Sequence, residues 1–466
     1  MKFALKYILT GLLPVLSLVS CKKFVQVNDP IDQVASSEAF NTDANAATAI
    51  RGIYSKMMSA LNAGFAGGIQ IMMDASADAL KVQVATNQFY EFYTNTIGSA
   101  STANKSNWNA FYYAIYSANL AIENITISTG MTEAGKNQYL GEARFLRALN
   151  YFYLVNAYGN VPLTTSSNYE YNNRLFRAPK EDVYELIKSD LLFAQANLST
   201  AYQGALRIRA NSYAATALLA KVYLYLEDWT NAAQQATTVL NNTTDYALET
   251  DLTKTFLIAS KEALLRIEQP GTNAYTWDGY LFIPSTATTV PTFPITDTLN
   301  KTFESGDKRK TSWVKTTSFT STRGSETYYS PYKYRTNSGT GTPAESHIVL
   351  RLGEMYLIRA EARAQGKQLS DAITDLDKIR ARAGLPLITT TNPGISQTDL
   401  LATIAHERWV ELFAENGDRW MDLKRTDKAN STLQSKPNWQ PDAQLFPIPQ
   451  LDRQYNKNLE QNDGYQ

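Results

Sequence analysis

Residues 350–386 read LRLGEMYLIRAEARAQGKQLSDAITDLDKIRARAGLP, and this stretch predicts two helices joined by a turn. In each helix, small or apolar residues recur at the spacing of a single helical face: Gly353, Leu357, Ala360 and Ala364, then Ala372, Leu376, Ile379 and Ala383. Gly366 breaks the first helix, and Ser370 is the expected cap of the second. Gly384, followed by Pro386, marks the end of the pair.

An upstream stretch, residues 211–241, has the same design: NSYAATALLAKVYLYLEDWTNAAQQATTVLN. Its turn is predicted at Glu227 and Asp228. Each stretch approaches the ~34-residue period of tetratricopeptide helix pairs. Because one such pair cannot bury its apolar face alone, the remaining chain must stack on these pairs or cover them.

Composition excludes several classes of function. The 466-residue chain has a formal net charge of zero, one cysteine and two histidines. It has no basic field for nucleic acid, no possible internal disulfide and too few ligands for a Cys/His zinc centre. His347 and His406 are interpreted as packing or capping residues. We expect no cofactor and no metal.

The N-terminus has the pattern of a lipoprotein signal peptide, predicted over residues 1–20. Two early lysines precede an apolar run at residues 8–19, too short to span a bilayer stably. The run ends Leu18-Val19-Ser20-Cys21, which matches a lipobox. Cys21 is therefore the expected lipidation site, and several acyl chains on it would anchor the protein. The alternative is an ordinary secreted protein with a chance cysteine.

The rest of the chain is predicted as a tether, residues 21–42, and a single domain, residues 43–466. Helical periods predict a scaffold at about 43–242 and 346–426, with helices at 43–62, 108–127, 141–163 and 181–198. Residues 86–106 read as a loop. The segment at about 243–345 is aromatic and lacks a helical period, with strands expected only at Ala263–Ile267 and His347–Leu350. Residues 427–466 form a C-terminal segment.

Four stretches together resemble the SusD/RagB family of outer-membrane nutrient-binding lipoproteins of Gram-negative bacteria. They are GEARFLRALNYFYLVNAYGNVPL from Gly141, LRLGEMYLIRAEARAQGK from Leu350, ERWVELFAENGDRWMDLKR from Glu407 and LFPIPQLDRQYNKNLEQNDGY from Leu445. Their order and spacing match the family, as does the lipobox. Asp452, where the family more often has Glu, and Lys457, where it often has Pro, are departures.

The resemblance implies a mainly α fold: four tetratricopeptide-like pairs, with a loop-rich half and a few short strands laid on them. It implies lipid anchoring in the outer membrane, exposure at the cell surface, and a SusC-like TonB-dependent barrel transporter as partner. The implied activity is capture of a glycan or oligosaccharide, without catalysis. Two alternatives remain open: capture of peptides, as in the RagB branch, and a scaffold on the transporter that binds no ligand.

Three carboxylates are the strongest candidates for a catalytic site. Glu407, Glu411 and Glu415 share one helix face, and paired carboxylates could hydrolyse a glycoside. The favoured interpretation is ion pairing that fastens the C-terminal helices to the scaffold, because four cations lie nearby in sequence: Arg408, Arg419, Lys424 and Arg425. Likewise, Arg144 and Arg147 are expected to pair with buried acids.

In starch-binding relatives, the resemblance places ligand contacts in two regions, here residues 74–108 and roughly 270–335. Aromatic rings are suited to sugars because the C–H groups of a sugar stack on the π-face. The predicted ligand contacts are Asp78, Asn87, Tyr93 and Trp108 in the first region and Trp277, Tyr280, Trp313 and Tyr329 in the second. For Trp108, a plain core role is an equal alternative.

Overall fold

The computed structural model describes residues 36–286, 288–321 and 324–465. The predicted signal peptide, Cys21 and most of the tether lie outside the described residues.

Helices dominate the first half of the chain. Its elements are α1 (Ser36–Ala39), α2 (Asp43–Met57), α3 (Gly68–Ser76), α4 (Tyr90–Tyr93), α5 (Thr102–Ile127), α6 (Glu133–Tyr158), β1 (Val161–Pro162), α7 (Tyr169–Asn172), β2 (Arg177–Ala178), α8 (Lys180–Asn197), α9 (Ser212–Tyr225) and α10 (Trp229–Leu240).

The second half mixes strands with helices. Its elements are a 3₁₀ turn (Leu252–Lys254), β3 (Ala263–Ile267), α11 (Trp277–Phe282), α12 (Asp297–Thr302), α13 (Lys308–Trp313), β4 (Val314–Ser321), β5 (Gly324–Pro331), β6 (His347–Arg351), α14 (Leu352–Gln365), α15 (Leu369–Ala383), α16 (Ile388–Thr391), α17 (Gln397–Leu412), α18 (Asp418–Arg425), α19 (Ala429–Leu433), a 3₁₀ turn (Pro441–Gln444) and α20 (Gln450–Tyr455).

The helix pair α14–α15 follows the predicted pattern closely. Gly384 adopts the left-handed conformation at the end of α15 with φ 75°, as a C′ glycine should. Ser370 is not the cap, because α15 begins one residue earlier, at Leu369, with Gln368 in the capping position. The inward faces of the pair form a small apolar cluster with Leu400 and Ile404 of α17.

The upstream pair α9–α10 turns where predicted. Glu227 takes a positive φ of 58°, and the side chain of Asp228 caps α10 by accepting a hydrogen bond of 3.1 Å from the amide of Asn231. Helix α10 packs against α14, so the two pairs stack on each other as repeat units do.

Helix α6 is central, as its nearly continuous apolar surface predicts. It is flanked by α5 and α8 and is buried on almost every side. It ends at Gly159 with φ 72° and begins earlier than expected, at Glu133. Helix α5 also begins before the predicted Trp108, since Ser101 caps it by accepting from the amide of Asn104 at 3.1 Å.

Both predicted strands exist, and they pair with each other. In this antiparallel pair Ala263 lies opposite Arg351 and Ile267 opposite His347. The prediction that the rest of residues 243–345 is irregular is wrong in part. The segment also contains α11, α12 and α13 and an antiparallel hairpin of β4 and β5. Polar residues fill most of that hairpin, so it lacks the apolar alternation that predicts a strand.

The fold is mainly α, as expected. One large apolar core extends from Phe40 to Leu459 and draws on both halves of the chain. Within the described ranges, none of the helices combines the length and the apolar character needed to cross a bilayer.

Candidate ligand-binding surface

The two regions predicted to bind ligand meet in space. Leu80 and Ile295 form an isolated antiparallel bridge. On one side of it, the amide of Lys81 donates to the carbonyl of Pro294 at 2.8 Å, and the amide of Gln83 donates to that of Thr292 at 3.1 Å. On the other side, the amide of Thr296 donates to the carbonyl of Ala79 at 2.9 Å. The regions therefore lie side by side, although more than two hundred residues separate Gln83 from Thr292 in the sequence.

An aromatic cluster at α11 is the most prominent feature of the second region. The rings of Tyr275 and Tyr280 are nearly parallel, with centroids 5.6 Å apart and planes at 25°. Trp277 lies 5.9 Å from each of them at a steep angle. Tyr280 is 48% exposed and Trp277 is half-buried. The cluster therefore presents aromatic surface to solvent, which suits stacking of a sugar ring.

Local hydrogen bonds fix this cluster on the scaffold. The Thr276 hydroxyl caps α11 by accepting from the amide of Gly279 at 3.0 Å. The indole Nε1 of Trp277 donates to the carbonyl of Met58 at 2.9 Å. A Cβ at Gly279 would lie 2.0 Å from the carbonyl oxygen of Thr336, so only glycine permits this close approach.

The first region is held by residues 436–438 of the C-terminal segment. The ammonium of Lys436 donates to the carbonyls of Ala77 at 2.6 Å and Ser76 at 3.0 Å, and also to that of Ala75. These contacts satisfy carbonyls that the end of α3 leaves without helical partners. The same ammonium lies 5.5 Å from the ring centroid of Tyr93.

Two amide hydrogen bonds strengthen this attachment. Asn95 Nδ2 donates to the carbonyl of Pro437 at 2.9 Å, and Asn438 Nδ2 donates to that of Thr94 at 3.0 Å. Tyr93 is half-buried at the end of α4. The backbone that carries it is therefore held in place by the C-terminal segment. Nothing local in the sequence points to Lys436, because its partners are 359 to 361 residues away.

Asp78 links the first ligand region to Arg419 and Thr296. Its carboxylate accepts two hydrogen bonds from Arg419, at 2.7 and 2.8 Å, and its carbonyl accepts one from Thr296 at 2.5 Å. The charge of Asp78 is thereby already paired. Asn87 is also engaged, because its Oδ1 accepts from the amide of Phe89 at 2.9 Å and closes a local turn.

For two of the chosen tryptophans, the structure corrects the prediction of ligand contact. Trp108 is 3% exposed and packs edge-on against Tyr158, with centroids 4.9 Å apart. Trp313 is fully buried, and its Nε1 donates to the carbonyl of Leu252 at 2.8 Å. Neither indole offers a face to a ligand. Tyr329, on β5, is half-buried, and its carbonyl accepts from the amide of Ile295 at 2.8 Å.

The three glutamates considered for catalysis are buried in a network of ion pairs. Glu407 binds Arg309 at 2.8 Å and Arg380 at 2.5 Å. Glu411 binds Arg351 at 2.6 Å and Arg309 at 3.2 Å, and also Arg382. Glu415 binds Arg351 at 2.6 Å and also Lys333.

This charge network is structural. Burial alone would raise the pKa of Glu411, but the guanidinium groups of Arg382, Arg351 and Arg309 hold that pKa well below its ordinary value. The carboxylate is thus ionised and fully paired, unlike a general acid. Ion pairing was predicted correctly, but the partners lie on the inserted segment, β6 and α15 and not on neighbouring residues in sequence.

The cations expected to pair with the three glutamates pair elsewhere. Arg408 binds Asp422 at 2.7 Å, and Arg425 binds Glu361 at 2.6 Å. Lys424 donates to the carbonyl of Asn156.

Of the two upstream arginines, Arg147 binds the buried Asp190 at 2.7 Å, as expected. The guanidinium of Arg144 lies 4.0 Å from the ring centroid of Phe193 and acts on the buried Asp190 through space, without a direct ion pair of the kind that Arg147 makes.

The two histidines lie in different polar surroundings. His406 lies with Glu304 and Glu407 at distances a metal could bridge. However, Arg380 already binds Glu304 at 2.7 Å and Glu407 at 2.5 Å, and Arg309 also binds Glu407 at 2.8 Å, so two cations face these two carboxylates. His347 is buried and hydrogen-bonds to Asp278 at 2.9 Å and Asn416 at 3.1 Å, which agrees with the packing role.

Two models of known protein families match this chain, one in each half. The family model described as "SusD family" matches residues 272–465, and that described as "Starch-binding associating with outer membrane" matches residues 23–224. The SusD-like protein P2 of Formosa agariphila is 26% identical, over 99% of this chain and all of that protein. A SusD-like protein of Bacteroides ovatus is 36% identical over 27% of this chain and 23% of its own.

Solved structures agree. A structure named as a laminarin binding SusD-like protein has a TM-score of 0.76 and 25% identity, covering 91% of this chain and all of that one. A SusD superfamily protein from Bacteroides vulgatus has a TM-score of 0.79 at 20% identity, covering 91% and 99%. With the fold, the stacked helix pairs and both family models in agreement, the chain belongs to the SusD/RagB family.

Proposed function

We propose that this protein captures an oligosaccharide at the surface formed by its two ligand regions and passes it to a SusC-like TonB-dependent transporter. In this proposal, acyl chains on Cys21 anchor the protein in the outer membrane, and the ligand leaves chemically unchanged. Trp277, Tyr280 and Tyr93 are the candidate contacts that we retain from the sequence, and Tyr275 joins them.

The observation that carries the proposal is the exposed aromatic cluster of Tyr275, Trp277 and Tyr280. Tyrosine and tryptophan rings offer apolar faces to sugar C–H groups while their polar atoms remain near water. The cluster is fixed before any ligand arrives, so little conformational entropy is lost on binding. A glycan ligand also agrees with the starch-binding description of the matching family model and with the laminarin-binding relative.

Replacing Tyr280 with alanine tests the aromatic cluster. Tyr280 is exposed, and among the described residues its hydroxyl group makes no hydrogen bond, so loss of the side chain should leave the fold intact. A stacking contact worth about 1.4 kcal/mol corresponds to a tenfold loss of affinity. Isothermal titration calorimetry with starch, laminarin and other soluble glycans should show that loss for whichever glycan binds.

Tyr169→Ala is the matched control. Tyr169 is 72% exposed on α7, outside both ligand regions, so its variant should bind as the wild type does. If Tyr280→Ala and Tyr275→Ala both keep full affinity, the cluster is not the binding platform. If peptides bind and no glycan does, the ligand class is wrong.

Partnership with a transporter has its own test. Affinity purification of the full chain from outer membranes of its source cells should recover a TonB-dependent barrel. Cys21→Ser should abolish membrane attachment, because it removes the residue that carries the acyl chains. It should leave glycan affinity unchanged, because Cys21 is not among the proposed ligand contacts. Recovery of the protein without any barrel, under conditions that keep other lipoprotein complexes intact, would contradict the delivery role.

A further inference from the structure

A second concave surface lies beside the aromatic cluster. It is a groove of about 390 Å³ between the end of α2, the turn that follows it and the first half of α5. This volume is within the range of about 300–1,000 Å³ found for small-molecule sites. We name it the α5 groove. Its polar and aromatic lining comprises Lys56, Ser59, Asn62, Gln88, Ser106, Asn109 and Tyr113.

The groove adjoins the candidate surface on two sides. Gln88 comes from the first ligand region, between Asn87 and Phe89. On the other side, the turn that begins at Ser59 directly follows Met58, whose carbonyl holds the Trp277 indole at 2.9 Å. The groove and the aromatic cluster are therefore linked through the backbone of Met58 and Ser59.

The chemistry of the α5 groove suits a sugar. Tyr113 is 51% exposed, and the Lys56 ammonium lies 5.3 Å from its ring centroid. Three amide side chains, Asn62, Gln88 and Asn109, surround it with donors and acceptors. Because its lining includes no carboxylate and only one cation, the groove fits a neutral ligand rich in hydroxyl groups better than a charged one.

Asn62 is held in an unusual conformation at this site. Its φ is 67°, and its amide N–H donates to the carbonyl of Ala66 at 2.9 Å. Its Oδ1 is buried and has no hydrogen-bond partner among the described residues. A buried acceptor without a partner costs about 1–3 kcal/mol, so a donor supplied to it would be favourable.

We propose that the α5 groove is a second subsite, which binds further sugar units of the same chain that the aromatic cluster holds. The ligand is then an extended neutral oligosaccharide, and affinity grows with chain length until both subsites are filled. Two linked contacts bind more tightly than either alone because the second contact is intramolecular. This inference rests on the proposed function.

The test compares chain lengths. Malto-oligosaccharides and laminari-oligosaccharides, from the disaccharide upward, are titrated into the full-length protein and its variants by calorimetry. Tyr113→Ala should lower affinity for the longest chains about tenfold and leave the shortest chain that binds unaffected. Asn109→Ala, a second exposed position, should act in the same direction. Tyr169→Ala again serves as the control.

The outcomes separate the two proposals. If Tyr280→Ala weakens binding but Tyr113→Ala and Asn109→Ala change no chain length, the second subsite is refuted and the proposed function stands. If Tyr113→Ala weakens the shortest chain as much as the longest, the groove is the primary site and the inference is wrong. If no oligosaccharide or parent polysaccharide binds the wild-type protein, both proposals fail.

Discussion

Glu411→Gln should destabilise the protein by several kcal/mol, because it removes one charge from the centre of a buried network. Glu411 is fully buried, and its carboxylate contacts Arg351 at 2.6 Å, Arg309 at 3.2 Å and also Arg382. The buried acidic and basic members of the network balance: Glu262, Asp307, Glu407, Glu411 and Glu415 face Arg309, Lys333, Arg351, Arg380 and Arg382. The partly exposed Glu304 also binds Arg380.

The magnitude follows from this balance. Breaking a buried ion pair from one side costs about 3–5 kcal/mol, because the remaining charge stays buried. In the variant, Arg351 still binds Glu262 and Glu415, and Arg382 still binds Glu262. Neither arginine is left without a counter-charge, which reduces the loss of stability. The amide oxygen of glutamine can also still accept one hydrogen bond. We therefore expect a loss near the lower limit, about 3 kcal/mol.

Urea unfolding at neutral pH measures this loss, provided that tryptophan fluorescence and far-ultraviolet circular dichroism give coincident transitions. Asp297→Asn is the control, since it breaks an exposed pair with Lys81 at 3.0 Å and should cost at most about 1 kcal/mol. A loss below about 1 kcal/mol for Glu411→Gln, no greater than for the exposed pair, would refute the view that this network fastens α17 to the inserted segment, β6 and α15.

Two further predictions concern other buried polar groups. Lys436→Met should speed amide hydrogen exchange at the end of α3 and around Tyr93, and it should lower glycan affinity. The reason is that a hydrogen bond from a charged donor contributes about 1.5–3 kcal/mol. Lys428→Met, at an exposed position, is the control and should have neither effect. Asp74→Asn should flatten the pH dependence of stability. Burial, reinforced by the charge of Asp418, raises the pKa of Asp74 in the folded protein well above its ordinary value. The stability that the protonated carboxyl contributes is therefore fully present below the pKa of the unfolded state and is lost as pH rises through the pKa of the folded state. Urea midpoints from mildly acidic to mildly alkaline pH check this, and equal slopes in wild type and variant would contradict it.

The sequence was sufficient for the parts of the fold that depend on neighbours along the chain. The faces of α14 and α15, the left-handed Gly384 and the strands at Ala263–Ile267 and His347–Arg351 all follow local patterns. The β4–β5 hairpin does not, because its residues are mostly polar and half of those in β5 are exposed. Local pattern predicts structure only where one face of an element is buried.

The site was harder to predict because it depends on contacts between distant segments. Trp277 and Trp313 occupy similar aromatic, aperiodic stretches, yet one is half-buried at the surface and the other lies against the charge network. What distinguishes them is the neighbouring chain, Met58 in one case and Leu252 with Lys333 in the other. Composition singled out an aromatic region but not the direction in which each ring points.

The attachment of residues 436–438 to the first ligand region has a consequence for the order of folding. Lys436 contacts carbonyls 359 to 361 residues away, and Asn104 donates to the carbonyl of Pro447 across 343 residues at 2.7 Å. Contacts of such high sequence separation close late, since long loops must be ordered first. The helix pairs can assemble from local contacts, whereas the candidate ligand-binding surface takes its final shape only after the C-terminal segment docks. Ligand affinity should therefore be the last property that a refolding chain recovers, after its helical signal is complete.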